Sequence, residues 1–221
     1  MSSDVSRYRD GARAALAVAA TVWFFGASFG LVARAAGMGV VAPLVMSATT
    51  FAGSAQFAVT SILGAGGGAA AAIAAAVLLN ARYAPISISV ASLFRGRLPR
   101  RLLESQLIVD ESWALASRGG GRFDRRILLG AGLLLYVSWV SGTAVGVLAG
   151  DALGDPKDLG LDGAFPALFL ALLAPQLRAP RAAAAAALGA VIALALIPVT
   201  PAGTPIVAAS AACLLGLRRR P

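Results

Sequence analysis

The chain has 221 residues, of which 58% are hydrophobic and 13% are charged, and its mean hydropathy is +0.80. Soluble domains of this size do not have this composition, and the apolar runs are continuous rather than alternating, which excludes a β-barrel. The net charge of +9 comes with no histidine and a single cysteine, Cys213, so the composition also excludes a Cys/His metal cluster and an intrachain disulfide.

The basic residues lie mostly in the short segments between the apolar runs. This placement indicates a role in membrane topology rather than in nucleic-acid binding. Several of the apolar runs approach or exceed the ~20 residues that cross a bilayer as a helix. The sequence therefore predicts an all-α, polytopic integral membrane helical bundle, formed by residues 1–221 as a single domain.

The first predicted element is the apolar run 14–33, which follows the basic N-terminal segment 1–13. A signal peptide is the alternative, because "LVARAAG" resembles a small-residue cleavage site. The run is longer than the usual apolar region of a signal peptide, and further apolar runs follow it. We therefore expect a retained first helix with a cytoplasmic N-terminus.

Glycines four residues apart occur in this first run and again in the run 127–150. They are Gly26 and Gly30, followed by Gly142, Gly146 and Gly150. Small residues at this spacing let two helix backbones approach closely in a membrane. We expect these glycines to be sites of helix packing rather than of function.

The segment 40–63 carries polar residues on both sides of a helix, which a lipid-facing helix would not do. Serine and threonine hydroxyls can bond carbonyl groups of their own helix, but the amide of Gln56 cannot be satisfied so locally. The segment is therefore either enclosed by protein or broken near Gly53. We assign Ser54 and Gln56 to a candidate pathway for substrate or protons.

The stretch "LLNARYAP" places Asn80, Arg82 and Pro85 after a long run without charge. An arginine at the centre of a membrane helix costs about 2.5–3.5 kcal/mol on insertion scales. Twelve uncharged residues separate Arg82 from Arg95, about 18 Å of helix, which argues against a side chain that simply reaches the headgroups. Pro85 removes a backbone donor and favours a break in the helix. Asn80 and Arg82 are candidate pathway residues.

The segment 102–117 contains the adjacent acids Asp110 and Glu111 and has no single apolar face. It is either enclosed by protein or a cytoplasmic helix whose acids neutralise the neighbouring arginines. Carboxylates at membrane depth can carry protons or bind an ammonium group. We add Asp110 and Glu111 to the candidate pathway.

Basic segments are expected on the cytoplasmic side. They are residues 1–13, 95–101, 118–126, 178–181 and the tail 218–221, whereas the acid-rich loop 151–162 is expected outside. The second half of the chain then alternates cleanly, and both termini are inside. Three full spans in the first half would place the basic segment 95–101 outside, against this expectation.

We therefore favour broken or re-entrant segments near 40–63 and 102–117. The alternative keeps eight full spans and accepts one basic segment on the external side. The expected total is six to eight spans.

Six stretches occur in a characteristic order between about residues 23 and 178. They read "FGASFGLVARAAGMG", "MSATTFAGSAQF", "NARYAP", "VDESWAL", "YVSWVSGTAVG" and "LGLDGAFPALFLALLAP". In this order the chain closely resembles the AzlC family of branched-chain amino-acid permeases, which also includes bacterial valine exporter subunits. The resemblance implies export of branched-chain and related neutral amino acids across the bacterial inner membrane, together with a small membrane partner of the AzlD type.

The chain departs from the family pattern at two positions. Tyr83 stands where members usually have histidine, and Val109 stands where they usually have threonine. A histidine proton carrier is therefore absent at this point, and proton coupling would have to use Asp110 or Glu111.

Two functions remain open at the level of sequence. The first is a secondary exporter in which the substrate carboxylate contacts Arg82 or the N–H groups of a broken helix. The second is a non-transporting assembly subunit whose buried charges pair to hold the fold. An intramembrane enzyme would be left with serine or aspartate chemistry only, because histidine is absent and Cys213 is far from any acid in the sequence; we expect no enzymatic activity. The sequence has no ATP-binding motif, so we expect no cofactor and no primary transport by this chain alone.

Overall fold

The computed structural model of the chain describes residues 2–153, 170, 173–174 and 176–217. These residues form α-helices and short 3-10 turns, and they include no β-strand, which confirms the predicted all-α class. The predicted external loop lies outside the described residues beyond Leu153, as does the predicted tail 218–221.

Two long helices frame the part of the chain that contains the polar segments. In chain order the helices are α1 (Ser2–Ala35), α2 (Val41–Thr49), α3 (Gly53–Gly64), α4 (Ala69–Asn80), α5 (Tyr83–Val90), α6 (Leu98–Ser105), α7 (Asp110–Ala116), α8 (Arg125–Leu153), α9 (Pro180–Leu196) and α10 (Thr204–Ala209). Helix α10 continues as the 3-10 segment Ser210–Leu217.

Helices α1 and α8 pack against each other along most of their length, and glycines make this approach possible. A Cβ atom on Gly26 would lie 2.6 Å from the carbonyl oxygen of Trp139 on α8. Cβ atoms on Gly30, Gly142 and Gly146 would meet backbone carbonyl oxygens of the opposite helix. Side chains at these positions would therefore force the two helices apart.

The glycine contact extends further toward the N-terminus of α1 than the sequence spacing indicates. Gly11 faces the backbone of Ile127, and Gly130 faces the backbone of Tyr8. At the other end, a Cβ on Gly150 would meet only side-chain atoms of Arg34, at 3.3 Å. Gly150 therefore lies where the two backbones are further apart.

Two described helical segments, Arg7–Ala35 and Arg125–Gly150, are long and apolar enough to cross a membrane. The segments Ala69–Asn80 and Tyr83–Leu93 meet at a bend of 41° at residues 81–82. If these two segments together form one bent span, the number of candidate spans rises to three. The apolar helices Pro180–Leu196 and Thr204–Leu214 are shorter than this length. The total of six to eight spans remains a prediction.

Both segments that were predicted to be broken are broken in the structure. Residues 50–52 separate α2 from α3, and residues 106–109 separate α6 from α7. Phe51, within the first break, has a φ of 42°, a left-handed conformation that costs a non-glycine residue about 1–2 kcal/mol. A strained backbone of this kind persists only where its surroundings enforce it.

Helix α6 is joined to the start of α8 by ionic contacts of Glu104. Its carboxylate accepts a hydrogen bond of 2.8 Å from Nε of Arg100 and another from Nη2 of Arg125. Burial alone would raise the pKa of the Glu104 carboxyl, but the hydrogen bonds and charges of the two arginines outweigh it and hold the pKa below its ordinary value.

Candidate functional site

The two broken segments and the bend between α4 and α5 meet at one cavity of about 100 Å³. Its polar lining comprises Ser54, Arg82, Tyr83, Asp110 and Glu111, together with Gly53. Its apolar wall comprises Val22, Phe25, Phe51, Val109, Leu135 and Trp139. The cavity is small: its volume is below the about 150 Å³ of a cavity that holds a benzene ring in another protein.

Arg82 is held in an ion pair at this cavity. It lies at the bend between α4 and α5, and its Nη2 is 3.1 Å from Oδ2 of Asp110, the first residue of α7. The guanidinium also lies over the ring of Tyr83, 5.1 Å from the ring centroid. The tyrosine thus supports the arginine by a cation–π contact.

The elements that carry the ion pair are themselves fixed by side chains. The buried Ser112 hydroxyl oxygen accepts a hydrogen bond of 3.0 Å from the N–H of Val109 at the start of α7. The indole N–H of Trp113 donates to Oγ of Ser89 on α5, at 2.9 Å. These contacts hold the N-terminus of α7 beside the bend.

Glu111 follows Asp110 and lines the same cavity. Among the residues that the structure describes, no cation forms an ion pair with it. The cavity therefore combines a paired cation, the anion that pairs with it, and a second carboxylate.

A buried polar network joins the α2–α3 break to α8 through Ser47, which is fully buried. Its Oγ lies 2.9 Å from Nε2 of Gln56, 3.2 Å from Nε1 of Trp139 and 2.9 Å from Oγ1 of Thr143. Since the Gln56 and Trp139 groups can only donate, they take both lone pairs of Ser47. The Ser47 hydroxyl then donates to Thr143, which donates in turn to the carbonyl oxygen of Trp139 at 2.9 Å.

Gln56 belongs to this network and does not line the cavity. Its Oε1 accepts a hydrogen bond of 3.2 Å from the N–H of Ala52, and the side chain is fully buried. The expectation that no local group could satisfy its amide was therefore wrong for the oxygen, because the break leaves the Ala52 N–H within reach. Here Gln56 spans the two sides of the break.

The end of α2 is satisfied by side chains from other elements. The hydroxyl of Tyr136 on α8 donates to the carbonyl oxygen of Ala48 at 2.8 Å, and Nε2 of Gln106 donates to that of Thr49 at 2.8 Å. Backbone groups at a helix end need such partners at membrane depth.

Ser54 differs from the other polar residues at the break. It is 3% exposed and lines the cavity, yet its Oγ has no hydrogen-bond partner. Buried hydroxyl groups are normally satisfied, so an orphan at a cavity calls for a ligand or water.

The structure therefore brings Ser54, Arg82, Asp110 and Glu111 together, whereas Asn80 is not among the residues that line the cavity. The buried Oδ1 of Asn80 also lacks a partner. Pro85 lies in the first turn of α5, just after the bend.

Several residues of the site were not selected from the sequence. Tyr83 and Phe51 line the cavity, and Ser47, Trp139 and Thr143 form the network beside it. For Trp139 and Thr143 the sequence did contain an indication: their helical spacing places them on the same face of α8 as the packing glycines.

Comparison with known sequences places these features in a family context. A family model described as AzlC protein matches residues 17–153, a range that contains the whole cavity lining. An uncharacterized membrane protein of Archaeoglobus fulgidus is 35% identical over 188 residues, which cover 84% of this chain and 82% of that protein.

Two further relatives carry more specific descriptions. The inner membrane protein YgaZ of Escherichia coli is 28% identical over 66% of this chain and 63% of that protein. The branched-chain amino acid transport protein AzlC of Bacillus subtilis is 26% identical over 69% of this chain and 61% of that protein. In both cases the match spans less than two thirds of the relative. No solved structure matches the chain.

Proposed function

Since this chain belongs to the AzlC protein family, we propose that it is a subunit of a secondary transporter in the bacterial inner membrane. It exports branched-chain or related neutral amino acids. The proposal takes its substrate class from the branched-chain amino acid transport protein of Bacillus subtilis. Both termini face the cytoplasm, as the distribution of basic residues predicts.

The observation that carries the proposal is the composition of the cavity. Arg82, Asp110 and Glu111 provide both signs of charge to its lining, and residues such as Leu135 and Val22 provide apolar lining. A zwitterionic amino acid with an aliphatic side chain needs this combination of groups. Its carboxylate contacts Arg82 or the N–H groups that begin α3, and its ammonium contacts Glu111 or Asp110.

A small membrane subunit of the AzlD type completes the transporter. The described chain exposes large apolar side chains along α4 and α9, among them Ile73, Val77, Val191 and Leu194. Lipid covers such surfaces in a membrane, and a second hydrophobic subunit also suits them.

The direct test is efflux of labelled L-valine from cells that produce the chain together with its small partner. Arg82→Ala abolishes efflux while the protein remains in the membrane at the wild-type level. The matched control is Arg97→Ala, at an exposed arginine outside the cavity, which retains efflux. Wild-type efflux by Arg82→Ala would remove Arg82 from the site.

The ion pair itself favours a second candidate, a membrane assembly subunit that does not transport. Arg82 and Asp110 lie 3.1 Å apart, as they would if their purpose were only to join the α4–α5 bend to α7. Replacing both residues, as in Arg82→Met with Asp110→Leu, distinguishes the two candidates. An assembly pair tolerates the double replacement with normal efflux, and a transport pair loses efflux.

A further inference from the structure

We propose that the carboxylate of the transported amino acid is bound by the first turn of α3, through the N–H groups of Gly53 and Ser54 and the Ser54 hydroxyl, rather than by Arg82. This assignment rests on the proposed function, because it takes an amino acid as the ligand. It makes Ser54 a binding residue and leaves Arg82 engaged with Asp110.

The first observation is the state of the Ser54 side chain. The residue is 3% exposed and lines the cavity, and its hydroxyl oxygen is buried without a hydrogen-bond partner. The other polar side chains at the α2–α3 break that are equally buried, Ser47 and Gln56, use their groups within the protein. Ser54 is thus a donor that the ligand-free protein does not use.

The second observation is the electrostatic character of the helix end. Helix α3 has twelve residues, and its N-terminus carries a partial positive charge with N–H groups that lack intrahelical partners. No described residue accepts a hydrogen bond from the N–H of Gly53 or Ser54. The neighbouring polar groups of the break, the N–H of Ala52 and the carbonyls of Ala48 and Thr49, already have partners. An anion at this end of the cavity meets donors that are free to bind it.

The third observation is the close packing of Trp139 against Gly53. A Cβ atom at this position would lie 2.9 Å from the ring of Trp139. Because Gly53 has no side chain, the indole of Trp139 packs directly against the first turn of α3, where both residues line the cavity.

The fourth observation concerns Arg82, the alternative group that could bind the carboxylate. The Nη2 of Arg82 is 3.1 Å from the Asp110 carboxylate and 3.4 Å from the hydroxyl of Tyr83. Nε of Arg82 is buried without a partner, but a substrate carboxylate there would share the guanidinium with the carboxylate of Asp110, which is already bound. At the N-terminus of α3 no described carboxylate accepts a hydrogen bond from the N–H of Gly53 or Ser54.

The test measures binding of labelled L-valine to membranes from cells that produce the full chain and its small partner, with competition by L-valine, valinamide and isobutylamine. Valinamide keeps the ammonium and the side chain but has no carboxylate. Ser54→Ala weakens the binding of L-valine roughly tenfold or more, as expected for a lost hydrogen bond to a charged group. The affinity for valinamide stays unchanged. Ser54→Thr retains the hydroxyl and restores most of the affinity.

A melting measurement separates this role from a structural one. The Ser54 hydroxyl has no partner in the protein, so ligand-free Ser54→Ala melts at or above the wild-type temperature. A Ser54→Ala protein that melts well below the wild type would show that the hydroxyl is needed for the fold, and would overturn the assignment. Gly53→Ala, which crowds the same turn, selectively weakens L-valine as well.

The outcomes that overturn this inference differ from those that overturn the proposed function. If Ser54→Ala keeps the full preference for L-valine over valinamide, and Arg82→Met loses it, the carboxylate lies at Arg82 and the amino-acid transporter stands. If wild-type membranes bind no neutral amino acid, the assignment and the proposed function both fail.

Discussion

The substitution Ser47→Ala tests whether the α2–α3 break is held by the buried network on α8. Removing the hydroxyl strands two donors, Nε2 of Gln56 and Nε1 of Trp139, which lie 2.9 Å and 3.2 Å from it. Thr143 keeps its bond to the carbonyl of Trp139. Each buried donor without an acceptor costs about 1–3 kcal/mol, so the expected loss is about 2–6 kcal/mol.

The assay is the melting temperature of the purified protein in detergent, followed by tryptophan fluorescence. For a chain of this size a loss of about 2 kcal/mol lowers the melting temperature by at least about 4 °C. The matched control is Ser141→Ala on the same helix. Ser141 is exposed and bonds only the carbonyl of Ser138, at 3.2 Å, so its loss stays within about 0.5 kcal/mol. Equal melting temperatures for Ser47→Ala and Ser141→Ala would refute the network as the support of the break.

Two further predictions concern the frame around the site. Gly146→Val drives a side chain into the backbone of Ala27 and costs about 1–3 kcal/mol of stability, whereas Gly68→Ala, which meets nothing within 4 Å, is nearly neutral in the same melting assay. Since the folded-state pKa of Glu104 lies below its ordinary value of 4.5, its contacts stabilise the fold fully above pH 4.5, and this contribution is lost as the pH falls through the lower folded-state value. The melting temperature of Glu104→Gln is therefore below that of the wild type at neutral pH, and the difference between the two becomes smaller in acid. A difference that stays constant across pH contradicts this linkage between protonation and stability.

The sequence predicts the frame of this fold well where a local pattern has one physical cause. Polar residues on both faces of 40–63 required either enclosure or a break, and the structure has a break at residues 50–52. The spacing of Gly26 and Gly30 required a close helix neighbour, which is α8. Gly11 and Gly130 serve the same contact but have no glycine four residues away, so the spacing rule could not find them.

The partners within the site could not be predicted in the same way, since they depend on tertiary geometry. Asp110 and Glu111 are adjacent and chemically alike, so their pattern alone does not distinguish them as partners of Arg82; in the structure the partner is Asp110, the first residue of α7. The partner of the Gln56 oxygen is the N–H of Ala52, a group that becomes free only because the helix breaks there. Trp139 lies on a helix that the glycine pattern assigned to packing alone.

Binding of labelled L-valine to membranes that contain the wild-type chain, the double variant Ser54→Ala/Arg82→Ala or the control Arg97→Ala shows whether the cavity holds the amino acid. If the cavity between α3, the α4–α5 bend and α7 is the amino-acid site, wild type and Arg97→Ala bind L-valine. The double variant Ser54→Ala/Arg82→Ala, which lacks both side chains that could hold the carboxylate, does not bind it when produced at the same level. Saturable binding by the double variant at the wild-type affinity would place the amino acid elsewhere, and no binding by the wild-type membranes would contradict the transporter assignment itself.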